Sequence, residues 1–118
     1  MSNTNETIIT NSGLRMIETK AGTGKSPVSG QTIKAHYKGY LEDGTVFDSS
    51  YDRNQPFTFP VGQGRVIKGW DEAFLSMQKG SKRTLIIPPE LGYGAQGAPP
   101  KIPGNSILLF DVELIDIN

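Results

Sequence analysis

This sequence predicts a single α+β domain whose strands pair antiparallel around one short helix. Three observations carry that reading. Ile33, Ala35 and Tyr37 alternate with Lys34, His36 and Lys38, and Leu108, Phe110, Val112 and Leu114 face away from Asp111 and Glu113; such a period of two marks half-buried strands. One segment repeats at helical spacing instead, with Ile67, Trp70, Phe74 and Met77 on a single face. The connections are too short for the crossover helices that parallel pairing requires.

The elements follow in order. Residues 1–12, MSNTNETIITNS, are polar and read as a flexible tail, although Ile8 and Ile9 have the character to pair with a sheet edge. The domain itself is taken as 13–118. A loose alternation over 14–18 gives the first strand, and a turn-rich stretch over 21–30 leads to the strand centred on Ala35. Asp43-Gly44 is a strong turn signal before a strand at 45–47. Pro56 and Pro60 bracket a short extended piece at 57–59. The helix has Asp71 and Glu72 early, Lys79 late and Gly80 as a stop, an arrangement that suits the helix dipole. A strand over 82–87 ends at Pro88-Pro89, and residues 88–105 hold five of the eight prolines, too many for regular structure. The strand around Phe110 closes the chain.

Composition narrows the function. Twelve basic and twelve acidic side chains cancel over 118 residues, so no charge footprint points to nucleic acid or an anionic membrane. With no cysteine, disulfides, thiolate catalysis and cysteine-held metals are excluded. The polar N-terminus lacks the pattern of a secretory signal or an anchor, and a cytoplasmic location is the expectation. The only tryptophan, Trp70, opens the helix. A large ring beside the unpaired donors of a first helical turn is suited to floor a small apolar pocket.

Several motifs occur in order along the chain: His36-Tyr37, Glu42-Asp43-Gly44, Phe47-Asp48-Ser49-Ser50, Asp52-Arg53-Asn54 with Pro56-Phe57, Val66-Ile67 with Gly69-Trp70, Tyr93-Gly94, and Phe110-Asp111-Val112-Glu113-Leu114. From about Gly13 to the C-terminus, this ordered set resembles the FKBP-type peptidyl-prolyl cis-trans isomerases, a family whose members bind rapamycin-like macrolides. The resemblance implies a bent antiparallel sheet of about five to six strands wrapped around one short helix. It implies an isomerase acting on proline-containing peptides and proteins, without metal or cofactor; a monomer is the separate expectation.

By the same resemblance, Tyr37, Phe47, Phe57, Val66, Ile67, Trp70 and Phe110 line the proline pocket, with Trp70 beneath the ring. The Tyr93 hydroxyl and the Ile67 N–H are expected to bond substrate or macrolide carbonyls. Asp48 is expected at the rim, held by Arg53 or a tyrosine hydroxyl, where it polarises the twisting amide. Ile102 closes the pocket from the proline-rich flap. Two positions depart from the family pattern: Ala98 stands where some relatives have histidine, and Lys101 where an isoleucine precedes Ile102.

Simpler readings compete with these. Taken alone, Trp70, Phe74 and Met77 are a core stripe, and Phe74 and Met77 are read as core only. Asp48 beside Ser49 and Ser50 fits plain turn chemistry. Gly92-Tyr93-Gly94-Ala95-Gln96-Gly97 matches a dinucleotide fingerprint in spacing, but Ala98-Pro99-Pro100 follows where a helix N-terminus is needed. His36, the sole histidine, reads as a hydrogen-bonded structural residue. Asp43, Asp48 and Asp52 are assigned to turns and salt bridges rather than to paired-carboxylate hydrolysis. The alternative to an enzyme is a non-catalytic module that docks a macrolide or a protein; a general chaperone is a third reading.

Overall fold

The computed structural model describes residues 7–117. Seven strands form one sheet: β1 (Thr7–Ile9), β2 (Arg15–Lys20), β3 (Thr32–Leu41), β4 (Val46–Ser49), β5 (Phe57–Pro60), β6 (Lys82–Ile87) and β7 (Leu108–Ile117). Helix α1 (Lys68–Leu75) lies between β5 and β6 in sequence. The strand order is β1-β2-β6-β7-β3-β4, with β5 also paired to β3, and every pairing is antiparallel. The seventh strand, beyond the expected five to six, is β1. Ile8 pairs with Met16, so the sheet reaches into the stretch read as a tail; residues 1–6 lie outside the described residues.

Register shifts interrupt the β2–β6, β3–β4 and β3–β7 pairings. Each such irregularity bends a strand and adds twist, which lets the sheet curve around the helix. The alternation in β3 and β7 places Ile33, Ala35, Tyr37, Phe110, Val112 and Leu114 inside. Phe74, fully buried, meets Phe59 and Trp70 edge-on at ring-centroid distances of 5.7 and 5.4 Å. Met77 is fully buried as well.

The helix is shorter than its apolar spacing suggests. It ends at Leu75, where Ser76 Oγ donates to the Ala73 carbonyl at 2.9 Å. The Arg83 guanidinium satisfies Ser76 in turn, donating to its Oγ at 2.7 Å and its carbonyl at 3.2 Å. A side chain from β6 therefore takes up the Ser76 carbonyl, which one more helical turn would have used. Lys79 lies beyond the helix, where it pairs with Asp116 at 3.1 Å, and Gly80 supplies a backbone φ of +87° in the turn to β6. Asp71, read as an early acidic residue favouring the helix dipole, accepts the N–H groups of Gly62 at 2.8 Å and Gly64 at 3.0 Å. It thereby fastens the loop that enters the helix.

Candidate functional site

A cavity of about 620 Å³ opens where β3, β4, β5 and β7 face the start of α1. Strand alternation delivers Tyr37, Phe47, Phe57 and Phe110 to it, and Val66, Ile67 and Trp70 come from the helix entrance. Ile102, Tyr93 and Asp48 complete the set that the sequence nominated; Arg53 alone of that set lies off the lining, and it touches Asp48. The cavity is also lined by Arg65, Ala98, Pro99, Pro100 and Lys101.

Trp70 is the hub of the floor. Only 5% exposed, its ring sits 4.9 Å from Tyr37, 5.2 Å from Phe110 and 6.2 Å from Phe57, all edge-on. Phe59 supports it from the core side at 5.8 Å. Edge-to-face aromatic pairs of this kind each add about 0.5–1.5 kcal/mol beyond area burial, so the floor is stiff. Phe47 meets Phe110 at 5.4 Å and nearly perpendicular, with an interplanar angle of 86°.

That wall depends on Gly39. A β-carbon there would lie 2.6 Å from Phe110 Cε1 and 2.7 Å from Phe47 Cζ. Sequence reasoning did not single out Gly39. Its signal was a glycine inside an otherwise regular strand, which commonly marks a close approach.

The polar corner of the cavity is a triangle. The Tyr37 hydroxyl donates to Asp48 Oδ2 at 2.5 Å, Arg53 Nη1 donates to Asp48 Oδ1 at 2.5 Å, and Arg53 Nη2 donates to the Tyr37 oxygen at 2.8 Å. Partial burial alone would raise the Asp48 carboxyl, but the Tyr37 and Arg53 bonds outweigh it and hold the group below its ordinary range. Burial, joined by the Asp48 contact, pushes the Tyr37 hydroxyl up. Asp48 is therefore a fixed carboxylate at neutral pH, ill suited to deliver protons.

Two donors at the mouth are open. The Tyr93 hydroxyl, on a side chain 41% exposed, has no hydrogen-bond partner among the described residues. Nor does the Ile67 N–H, just before α1. Across from them, Ala98 and Ile102 exchange backbone hydrogen bonds of 2.8 and 3.1 Å, which close the flap into a small loop. Its Gly97 has φ +66° and no room for a side chain, with a β-carbon falling 2.4 Å from the Ile102 carbonyl oxygen.

His36 stays outside the cavity. Its Nδ1 lies 2.7 Å from Ser50 Oγ and its ring stacks on Tyr51 at 4.5 Å, the structural role its isolation in the sequence suggested. Ser50 Oγ also accepts the Tyr37 N–H at 2.7 Å, fixing the strand that carries the tyrosine. Asp43 accepts the Thr45 N–H at 2.9 Å, a turn contact remote from any hydrolytic arrangement.

Comparisons with known proteins agree with this architecture. The family model described as FKBP-type peptidyl-prolyl cis-trans isomerase matches residues 23–115. The chain is 60% identical over 88 residues to peptidyl-prolyl cis-trans isomerase FKBP2 of Mus musculus, a match covering 75% of this chain and 63% of that protein. The chain thus spans less than two thirds of that relative. It is 52% identical over 105 residues to an FK506-binding protein of Neisseria meningitidis serogroup B, covering 89% of this chain and 96% of the other. Among solved structures, AtFKBP13 superposes with a TM-score of 0.90 at 50% identity, covering 96% of this chain and 99% of that one. FkpA of Escherichia coli gives 0.88 at 44% identity, covering 95% of this chain and 51% of FkpA. With most of its length matched by the family model and with cavity, flap and helix arranged on the same fold, the chain belongs to the FKBP-type peptidyl-prolyl cis-trans isomerase family.

Proposed function

We propose that this chain accelerates cis–trans rotation about X–Pro bonds in proline-containing peptides and proteins, within the Trp70 cavity and without covalent chemistry. The observation that carries the reading is a stiff aromatic cavity with an oriented carboxylate at its rim and two open donors at its mouth. Amide rotation faces a barrier of about 18–20 kcal/mol, set by resonance across the C–N bond. Exchange at X–Pro takes roughly tens to hundreds of seconds unaided. Shortening about 100 s to about 10 ms needs some four decades, or about 5.5 kcal/mol.

The twisted amide has lost resonance and is less polar than either planar form. The aromatic surface of Tyr37, Phe57, Trp70 and Phe110, once covered by substrate, favours it over the planar forms, which prefer water. Asp48, held in place by Tyr37 and Arg53, presents fixed charge without reorganising as the amide turns. Tyr93 and the Ile67 N–H hold the flanking carbonyls, so that rotation is confined to one bond. No nucleophile or metal is called for, because no bond is broken.

Rapamycin-type macrolides, and FK506 by way of the relatives' names, fit the same cavity as inhibitors. A cytoplasmic, monomeric state belongs to the same proposal; cell fractionation and light scattering test it. The second reading is a docking module that binds without turnover; it rests on the flap, where Ala98 and Lys101 alter the surface a partner meets, and the relatives named as isomerases do not favour it. Isomerisation of a leucyl-prolyl peptide, with and without rapamycin, decides between them. Catalysis blocked by rapamycin supports the enzyme. Rapamycin binding by a folded protein without catalysis supports the module.

A further inference from the structure

The cavity rim carries more charge than the isomerisation chemistry uses. Three charged side chains line the cavity, Asp48, Arg65 and Lys101. Asp48 is already neutralised by Arg53 through a direct ion pair. Arg65 and Lys101 have no acidic partner among the described residues. Both are exposed, and they come from separate segments: Arg65 precedes the Val66-Ile67 wall, and Lys101 sits at the tip of the flap. The Lys101 ammonium is steadied by the Phe47 carbonyl, 3.3 Å away across the mouth. The rim is therefore basic by two charges in a protein whose twelve cations and twelve anions balance.

We infer that Arg65 and Lys101 make this cavity selective for X–Pro sites flanked by acidic residues. The inference rests on the isomerase reading and narrows its substrate class. A carboxylate next to a proline seated on Trp70 passes within reach of the mouth and meets one of the two free cations. A basic neighbour meets repulsion at the same place. Exposed pairs are modest in strength, so each cation is expected to contribute about two- to fivefold in kcat/KM. The gain belongs to KM, since both charges lie beyond the rotating bond and bind planar and twisted amides alike.

The test compares four leucyl-prolyl peptides: a neutral one, one with glutamate directly after proline, one with glutamate two residues before it, and one with lysine in each of those positions. Initial isomerisation rates are measured at low salt and at 0.5 M salt, where the Debye length drops from about 10 Å at 0.1 M to under 5 Å. The expected result is that at least one glutamate peptide exceeds the neutral peptide by about two- to tenfold, through KM, and the lysine peptide falls below it. High salt is expected to erase the difference. The ratio of acidic to neutral kcat/KM should fall in Arg65→Gln and Lys101→Gln and approach one in the double variant. Reversing both charges, Arg65→Glu with Lys101→Glu, should reverse the order of acidic and basic peptides. Turnover of all four peptides at equal efficiency, or a preference unmoved by these variants, would overturn the inference and leave the isomerase reading standing. A folded protein that isomerises none of them removes both.

Discussion

Replacing Gly39 with alanine sets two opposed effects against each other. In a strand interior, alanine costs less conformational entropy than glycine, which favours the variant by about 0.5–1 kcal/mol. The new methyl, however, lies 2.6 Å from Phe110 and 2.7 Å from Phe47, where ordinary contact begins near 3.4 Å. The rings must retreat by about 0.8 Å, and overpacking of that kind costs about 1–3 kcal/mol. Away from the cavity the rings are held: Phe110 is 4% exposed and already abuts Trp70, so retreat carries them into the cavity they line. Steric cost therefore wins, with a net loss of about 0.5–2 kcal/mol. Urea unfolding followed by Trp70 fluorescence measures it; a slope of about 1–3 kcal/mol/M turns a 1.5 kcal/mol loss into a midpoint drop of roughly 0.5–1.5 M. Displaced pocket walls should also lower kcat/KM on a leucyl-prolyl peptide by about tenfold, since a 1 Å error in positioning costs up to about a hundredfold. An unchanged or raised midpoint with normal turnover would refute the reasoning about this wall.

Phe74→Ala, by contrast, removes a fully buried ring that does not line the cavity; it should cost about 3–5 kcal/mol in urea unfolding, with turnover per folded molecule largely kept. Asp71→Ala strips the acceptor from the Gly62 and Gly64 N–H groups and should cost about 1–2 kcal/mol. It should also raise KM, because the Val66-Ile67 wall loses its anchor. For Asp48 the sign follows from its lowered folded-state titration. The interaction contributes fully above the unfolded value near 3.9 and is lost as pH falls through the lower folded midpoint. An NMR titration of the Asp48 carboxyl should give a midpoint below 3.9, and Tyr37→Phe, which removes a bond to the ionised form, should move it upward.

The parts of this fold that repeat were readable in advance. Period-two alternation placed β3 and β7 and chose their inner faces, and the motif order brought residues as distant as Tyr37 and Phe110 into one cavity. What escaped depended on contacts between elements. The helix ends at Leu75 because Arg83, from β6, occupies the groups of Ser76, and no local pattern announces that. Asp71 looked like a helix-dipole residue and became a loop clasp, since its hydrogen bonds run to residues seven and nine positions earlier. Arg65 and Gly39 belong to the site through what stands near them in space; neither residue type by itself announces a cavity wall.

Magnetisation-exchange NMR on a leucyl-prolyl peptide, with wild type and Asp48→Ala at matched folded concentration, tests the central claim most directly. The account predicts fast catalysed exchange by wild type and a loss of about tenfold or more in Asp48→Ala, equivalent to about 1.4 kcal/mol of transition-state stabilisation. Equal exchange rates for the two proteins, with any difference confined to their unfolding midpoints, would contradict it.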